Sequence, residues 1–117
     1  MNMKKMEKTM NEIFGDLIYA YTRKQAIEDG VLVDITEIAK PEFKVPVAMT
    51  IASYEKIGTE KIRIMLKDLW RRIKVSPNES ILMFHTGEKA DTVKLKSMIH
   101  GGDHGEPVLT IMFPNED

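Results

Sequence analysis

A row of basic side chains on one predicted helix is the first candidate for chemistry. Its members are spaced by four, four and three residues, which places them on one helix face: Arg63, Lys67, Arg71 and Lys74. Arg72 flanks this row. Several cationic donors with little opposing charge can hold phosphates or an acidic protein surface. The alternative is a solvated face whose cations suit the negative end of the helix dipole.

The polar loop His100–Glu106 is a second candidate, with two histidines and two carboxylates among its residues. His100, Asp103, His104 and Glu106 are residue types that bind metal ions, as a metal-dependent hydrolase requires. Their spacing matches no familiar zinc motif, however, and glycine and aspartate also collect in ordinary hairpin connections. We therefore assign no metal site. The remaining interpretations are a hairpin connection, or a binding loop in which Asp103, His104 and Glu106 contact a ligand or partner.

Tyrosine and arginine meet at a predicted helix start early in the chain. Thr22 can cap a helix that opens at Arg23, and Tyr19 and Tyr21 precede it. Tyrosine rings can stack on a nucleotide base while an arginine grips its phosphate, and the helix N-terminus adds partial positive charge. The alternative is that the tyrosines are half-buried and that Arg23 is an ordinary surface residue.

Complete catalytic motifs are missing from the sequence. It contains no Gly-x-Ser-x-Gly and no phosphate-binding loop of the Gly-x4-Gly-Lys-Ser/Thr type. His85 falls within a predicted strand, where a histidine is most often a sheet residue with one hydrogen bond. We therefore assign no catalytic residue and no cofactor, and we favour a binding protein over an enzyme.

Length and composition predict one domain without disulfides. The chain has 117 residues, a net charge of −1 and no cysteine. The missing cysteines exclude disulfides, thiolate zinc sites and cysteine nucleophiles, and they favour the cytoplasm. The near-zero charge argues against a surface built entirely for nucleic acid. We expect no membrane helix, because no segment reaches the roughly 18 apolar residues that one needs.

The N-terminal residues predict a helical extension, residues 1–14, ahead of a single α+β domain, residues 15–117. Apolar side chains recur there at spacings of three and four, at Met3, Met6, Met10, Ile13 and Leu17. Such a stripe either covers the core or supports self-association, for which methionine is suited.

Hydrophobic periodicity predicts helices first and strands later. The expected helices are Arg23–Asp29, a short turn from Thr36 to Lys40, a helix from Pro46 to Ile57, and a long helix opening at Thr59 and ending before Ser76. The long helix is expected to bury Ile62, Met65, Leu66, Leu69, Trp70 and Ile73. The expected strands are Val31–Ile35, Ile81–Thr86, Thr92–Ile99 and Val108–Phe113. This order predicts an α+β fold in which N-terminal helices pack on one face of a three-stranded, or slightly larger, antiparallel sheet formed mainly by the C-terminal half.

Two segments carry a family resemblance. The first is Tyr19–Ile35, with Pro46–Thr50 following at a fitting distance, and the second is Gly102–Asp117. Both resemble an uncharacterised domain family carried by phages, plasmids and other mobile elements, over about residues 14 to 117. Members tend to have a Leu-Trp-Asp run in the long helix, whereas Lys61–Trp70 of this chain holds one tryptophan. The family has no assigned activity, so the resemblance implies a setting rather than a chemistry.

Small accessory proteins of mobile elements often act by binding. The resemblance therefore implies a non-enzymatic counter-defence inhibitor that binds a host defence protein or sequesters a nucleotide signal in the bacterial cytoplasm. Two alternatives stay open, a nucleic-acid-binding accessory domain that uses the basic row, and a metal-dependent, signal-degrading hydrolase. A homo-oligomer is a further candidate state, because the predicted sheet has an open edge.

Overall fold

The computed structural model of the protein describes residues 21–116. Tyr19 and the methionine stripe of residues 3–17 lie outside this part, and so does the predicted extension of residues 1–14. The described residues form four α-helices: α1 Arg23–Glu28, α2 Thr36–Ala39, α3 Ile51–Ile57 and α4 Ile62–Val75. They also form five strands: β1 Leu32–Asp34, β2 Val47–Thr50, β3 Ile81–Thr86, β4 Val93–Gly101 and β5 Pro107–Met112.

The five strands make one mixed sheet in the order β1-β2-β5-β4-β3. Strands β2 and β5 are parallel, while the other neighbouring pairs are antiparallel. The α+β class is therefore confirmed, and three of the five strands come from the C-terminal half, but the sheet is mixed where a purely antiparallel one was expected. The last strand returns beside β2, so the N-terminal half contributes two strands to the sheet.

The segment after Pro46 is a strand, where the sequence predicted a helix. Val47, Ala48 and Met49 are fully buried, so both faces of this strand are covered. A central strand of this kind shows no apolar–polar alternation, and a short apolar run cannot be distinguished from a helix by periodicity. The helix begins only at α3, where the Thr50 side chain accepts a hydrogen bond from the Ser53 amide at 3.4 Å.

Helix α4 packs on one face of the sheet, which we call the α4 face. Its buried Leu66 and Leu69 join a core cluster with Phe84, Leu95 and Ile111, which lie on that face of β3, β4 and β5. This cluster is the main apolar core of the domain. The amphipathic pattern of α4 thus specifies how the helix sits on the sheet.

Helices do not lie on one sheet face only, which corrects the predicted layering. Side chains alternate along β5, so Thr110 points to the face opposite Leu109 and Ile111. The guanidinium of Arg23, the first residue of α1, donates to Thr110 Oγ1 at 2.8 Å. Helix α1 is therefore tied to the second face.

The bounds of most other elements agree with the sequence. Strand β3 is Ile81–Thr86, as predicted, and the predicted Thr22 cap of α1 is present as a capping box with Gln25. Strand β4 extends to Gly101, so it includes the first two residues of the loop predicted at His100–Glu106. Among residues 21–116, no helix combines the length and apolar character needed to cross a membrane.

We expect Leu69→Ala to destabilise the domain by about 2–5 kcal/mol, because Leu69 has no exposed surface and its loss leaves a cavity. Urea denaturation followed by far-UV circular dichroism measures the change. The matched control is Val75→Ala in the same helix, where the side chain is 78% exposed and the expected change is within about 0.5 kcal/mol. Equal losses in the two variants would contradict the packing of α4.

Candidate binding groove on helix α4

The basic row lies along one wall of an open groove of about 450 Å³. Four of its lining residues, Arg63, Lys67, Trp70 and Lys74, follow at spacings of four, three and four along α4. Because α4 turns its apolar face to the sheet, this set is directed to the side of the helix. Beyond the basic row and Trp70, the groove is lined by Glu42, Phe43 and Leu66.

Trp70 lies in this groove, which corrects the prediction that it belongs to the buried face. The side chain is 36% exposed, whereas its neighbour Leu69 is fully buried. The Lys74 Nζ atom lies 4.2 Å from the centroid of the indole ring, a cation–π contact within one helical turn. The groove therefore presents an aromatic surface together with positive charge.

Arg63 makes contacts within the protein that stabilise the fold. Its guanidinium donates to the carbonyl oxygens of Ile38 at 2.6 Å and Lys40 at 3.0 Å, and it lies 3.8 Å from the Glu42 carboxylate. These contacts join α4 to α2 and to the segment that follows it. The side chain therefore shapes the groove and has little capacity left for a ligand.

Arg71 and Arg72 are also engaged, in different places. Arg71 donates to Asp68 at 3.1 Å, and the second oxygen of that carboxylate accepts from Thr86 at 2.7 Å. Arg72 donates to Ser76 Oγ at 3.0 Å and is not among the residues that line the groove. The predicted site thus loses Arg72, and Arg71 shares its charge with Asp68.

Lys67 is the freest cation of the groove. Within residues 21–116, its ammonium group has neither a hydrogen-bond nor an ion-pair partner, and the side chain is exposed. Within residues 21–116, the four cations of the basic row, Lys67 included, make ion pairs with only two carboxylates, those of Glu42 and Asp68. The groove consequently has a positive local balance on a protein whose net charge is −1.

Asp103 joins the loop before β5 to the start of α1. Its two carboxylate oxygens accept from the amides of Arg23 at 2.7 Å and Lys24 at 3.1 Å. The Arg23 amide chiefly lowers the pKa of Asp103, the Lys24 amide adds to this, and partial desolvation opposes both. This contact brings together the two segments that carry the family resemblance.

Arg23 reaches across the second sheet face. Besides Thr110, its guanidinium donates to the carbonyl of Leu109 at 3.0 Å, and His100 Nε2 lies 2.8 Å from the same Thr110 hydroxyl. Burial lowers the pKa of Arg23, while the carboxylates of Asp34, Asp103 and Glu106 oppose this shift. Both terminal nitrogens of the Arg23 guanidinium therefore donate to β5.

The remaining predicted residues of this region also make contacts within the chain. Tyr21 donates to Asp29 at 3.1 Å; desolvation, followed by this hydrogen bond, raises its pKa. Glu106 accepts from the amide of His104 at 2.8 Å. The backbone amides of Glu106 and then His104 lower the pKa of the Glu106 carboxyl. These contacts indicate that Tyr21 and Glu106 stabilise the fold of this region.

The four proposed metal ligands of this loop do not converge. Asp103 turns to α1, Glu106 to the His104 amide, and His100 to Thr110. Nowhere in residues 21–116 are three or more histidine or carboxylate side chains placed to hold a metal ion. The geometry therefore gives the hydrolase alternative no support.

A second depression, of about 350 Å³, lies beside α2 and is lined in part by Asp34, Thr36 and Glu37. Asp34 accepts there from the Thr36 amide at 3.0 Å, and Glu37 pairs with Lys40 at 3.1 Å. These polar groups satisfy one another. The groove on α4 is the better candidate, because it combines an exposed ring with an unpaired cation.

Comparison of the chain with models of known protein families, with curated proteins and with solved structures gives no match. The family resemblance therefore stays a prediction, and the groove is interpreted from its own geometry.

Sequence reasoning identified the basic row but missed Trp70 and the opposite wall. The spacing of Trp70 and Lys74, four residues apart, was a usable signal, because residues so placed on a helix lie side by side. Glu42 and Phe43 come from a distant part of the chain. No pattern in α4 could have shown that they close the groove.

We expect Asp103→Asn to lower the melting temperature at neutral pH, because the folded state then loses the carboxylate that accepts from α1. The pKa of Asp103 is depressed in the folded protein. Its contribution is therefore full above the unfolded pKa of about 3.9 and is lost as the pH falls through the lower folded pKa. Melting temperatures measured from pH 7 to pH 2 should converge for wild type and variant in acid. Asp91→Asn at an exposed turn is the control, and a gap that stays constant with pH would contradict the account.

Proposed function

We propose that the protein is a small, non-enzymatic binding protein that holds a nucleotide in the α4 groove. One observation carries the proposal: the exposed indole of Trp70 lies in the same groove as Lys67, a cation without a partner in residues 21–116. A nucleotide has the two matching chemical features, an aromatic base and a phosphate.

The indole supplies a stacking surface. Base–aromatic stacking contributes about 1–3 kcal/mol per base and tolerates any base, since every base has a π face. The Lys74 ammonium lies against this ring, so a base that stacks there displaces it toward the phosphate. Stacking and phosphate binding are thus coupled through one side chain.

The lysines supply charge without fixed geometry. Lys67 and Lys74 carry compact ammonium groups on flexible stems, which bind phosphate as point charges. Arg63 and Arg71 add positive charge at fixed positions, because each is held by an ion pair: Arg63 with Glu42 and Arg71 with Asp68. This arrangement suits ligands that differ in the position of their phosphates.

The size of the groove fits a small ligand. Its volume of about 450 Å³ falls within the usual range for such sites, about 300–1,000 Å³. The lining offers an indole, apolar side chains and cations, and its Glu42 carboxylate lies 3.8 Å from Arg63. This composition supports retention of a ligand rather than its turnover.

A second candidate function is the binding of single-stranded nucleic acid. The basic row extends from Arg63 to Lys74, which at 1.5 Å per residue is about 16 Å of helix, enough for more than one phosphate. The net charge of −1 favours the single nucleotide.

The biological setting is a proposal of its own. The resemblance to a domain family of mobile elements supports a role as a counter-defence inhibitor, acting in the bacterial cytoplasm on a host defence protein or on a nucleotide signal. Of these targets, the α4 groove favours the nucleotide signal. A pull-down from host lysate that retains one defence protein, through a surface other than the groove, would favour the protein target.

We expect nucleotides to change the intrinsic fluorescence of the protein, because Trp70 is its one tryptophan and lines the groove. Titration with mononucleotides, cyclic nucleotides and NAD-derived compounds should give saturable curves for the true ligand class. Lys67→Glu should weaken binding at least ~10-fold, since about 1.4 kcal/mol of lost interaction corresponds to that factor. Lys94→Glu, with the same charge change on an exposed strand position, should bind like the wild type.

The same titration with short oligonucleotides separates the two candidate functions. Affinity that rises with strand length and falls steeply with salt supports nucleic-acid binding. Affinity that is independent of length supports a single nucleotide. Saturable binding with equal affinity for wild type and Lys67→Glu, or flat curves for every ligand, would contradict the use of this groove.

A further inference from the structure

Strand β3 forms one edge of the sheet. At every second residue of this strand, the backbone N–H and C=O groups point away from the sheet. The Ile99 amide donates to the Ser80 carbonyl at 2.8 Å, which makes these two residues a hydrogen-bonded pair of the β3–β4 ladder. Such pairs alternate along antiparallel strands. The N–H and C=O groups of Ile81, Met83 and His85 are therefore directed away from β4, toward solvent.

This edge lacks the usual protection against further strand pairing. Its six residues, Ile81–Thr86, include no proline, lysine, arginine or carboxylate. Proteins normally shorten, charge or cover an edge strand to prevent association. The other edge follows that rule, because β1 has only three residues and includes the charged residue Asp34.

The side chains of the same residues are apolar and exposed. Ile81 is 50% exposed and Met83 is 40% exposed, and both lie on the sheet face opposite α4. Met98 pairs with Ile81 on that face and is half-buried. Backbone groups with no strand partner among residues 21–116 and exposed apolar side chains thus occur on the same strand.

We propose that β3 pairs antiparallel with β3 of a second copy of this chain, about a two-fold axis at Met83. Two antiparallel strands match only if their outward residues oppose one another. The outward set is symmetric about Met83, so Met83 faces its counterpart and Ile81 faces the partner's His85. The strand therefore complements itself, as a two-fold interface requires.

A second copy fits this edge better than a charged peptide does. Two uncharged strands bring no like charges together, and the apolar side chain of Met83 packs on its counterpart at the axis. Three opposed pairs add about six backbone hydrogen bonds to the sheet. The product is a continuous sheet of ten strands from two chains.

Dimer formation is independent of the nucleotide proposal. The α4 groove is lined in part by Glu42 and Phe43, which lie in the segment leading into β2, and three positions separate β2 from β3 in the strand order. Both grooves stay open in the dimer. Failure of one proposal therefore leaves the other untouched.

Sedimentation velocity of the full chain over a range of concentrations tests the proposal. The small contact predicts a reversible dimer whose dissociation constant can be measured over this range of concentrations. Met83→Lys opposes two ammonium groups at the axis and should raise this constant at least tenfold. Ile51→Lys is the matched control, because Ile51 is 38% exposed on α3, and it should dimerise like the wild type.

Amide hydrogen exchange of the wild type locates the contact without any variant. The amides of Met83 and His85 point outward, so they should exchange fast in dilute protein and slowly in concentrated protein. A chain that stays monomeric at ~1 mM, a dimer in which these amides stay unprotected, or a folded Met83→Lys variant that dimerises normally would each overturn the proposal.

Discussion

The burial of one apolar helix face against the sheet is the constraint on which the remaining features depend. Leu66 and Leu69 of α4 fill the core above Phe84 and Ile111. Since each helical residue is turned by about 100° from the one before, Lys67 and Trp70 must then lie beside the buried stripe. The groove is thus a direct consequence of the packing. The same packing leaves the cations of the groove exposed to solvent.

The contacts around Asp103 and Arg23 have a different role. They close the domain by joining the start of α1 to β5, over about 80 residues of chain. The two segments on which the predicted family resemblance rests meet here, and their polar side chains bond to one another. We infer that these segments maintain the fold, while the α4 groove, which lies elsewhere, offers the unsatisfied charge and ring that a ligand needs.

Sequence patterns predicted what is encoded locally. The Thr22 cap, the edge strand Ile81–Thr86 and the spacing of the basic row depend on neighbours within a few residues. The strand after Pro46 was misassigned, because its place inside the sheet is set by backbone pairing with β1 and β5, which lie outside the local sequence window. Trp70 was assigned to the core for a similar reason: only the three-dimensional course of the chain shows that it lines a groove together with Phe43.

Nucleotide binding in the α4 groove is the central claim, and a nitrogen–proton correlation spectrum recorded during a nucleotide titration tests it most directly. Trp70 supplies the one indole N–H signal of the protein, so its assignment needs no further experiment. The account predicts that this signal and the amide signals from Arg63 to Lys74 shift together and saturate. Shifts confined to the His100–Glu106 loop, or a spectrum that nucleotides leave unchanged, would contradict it.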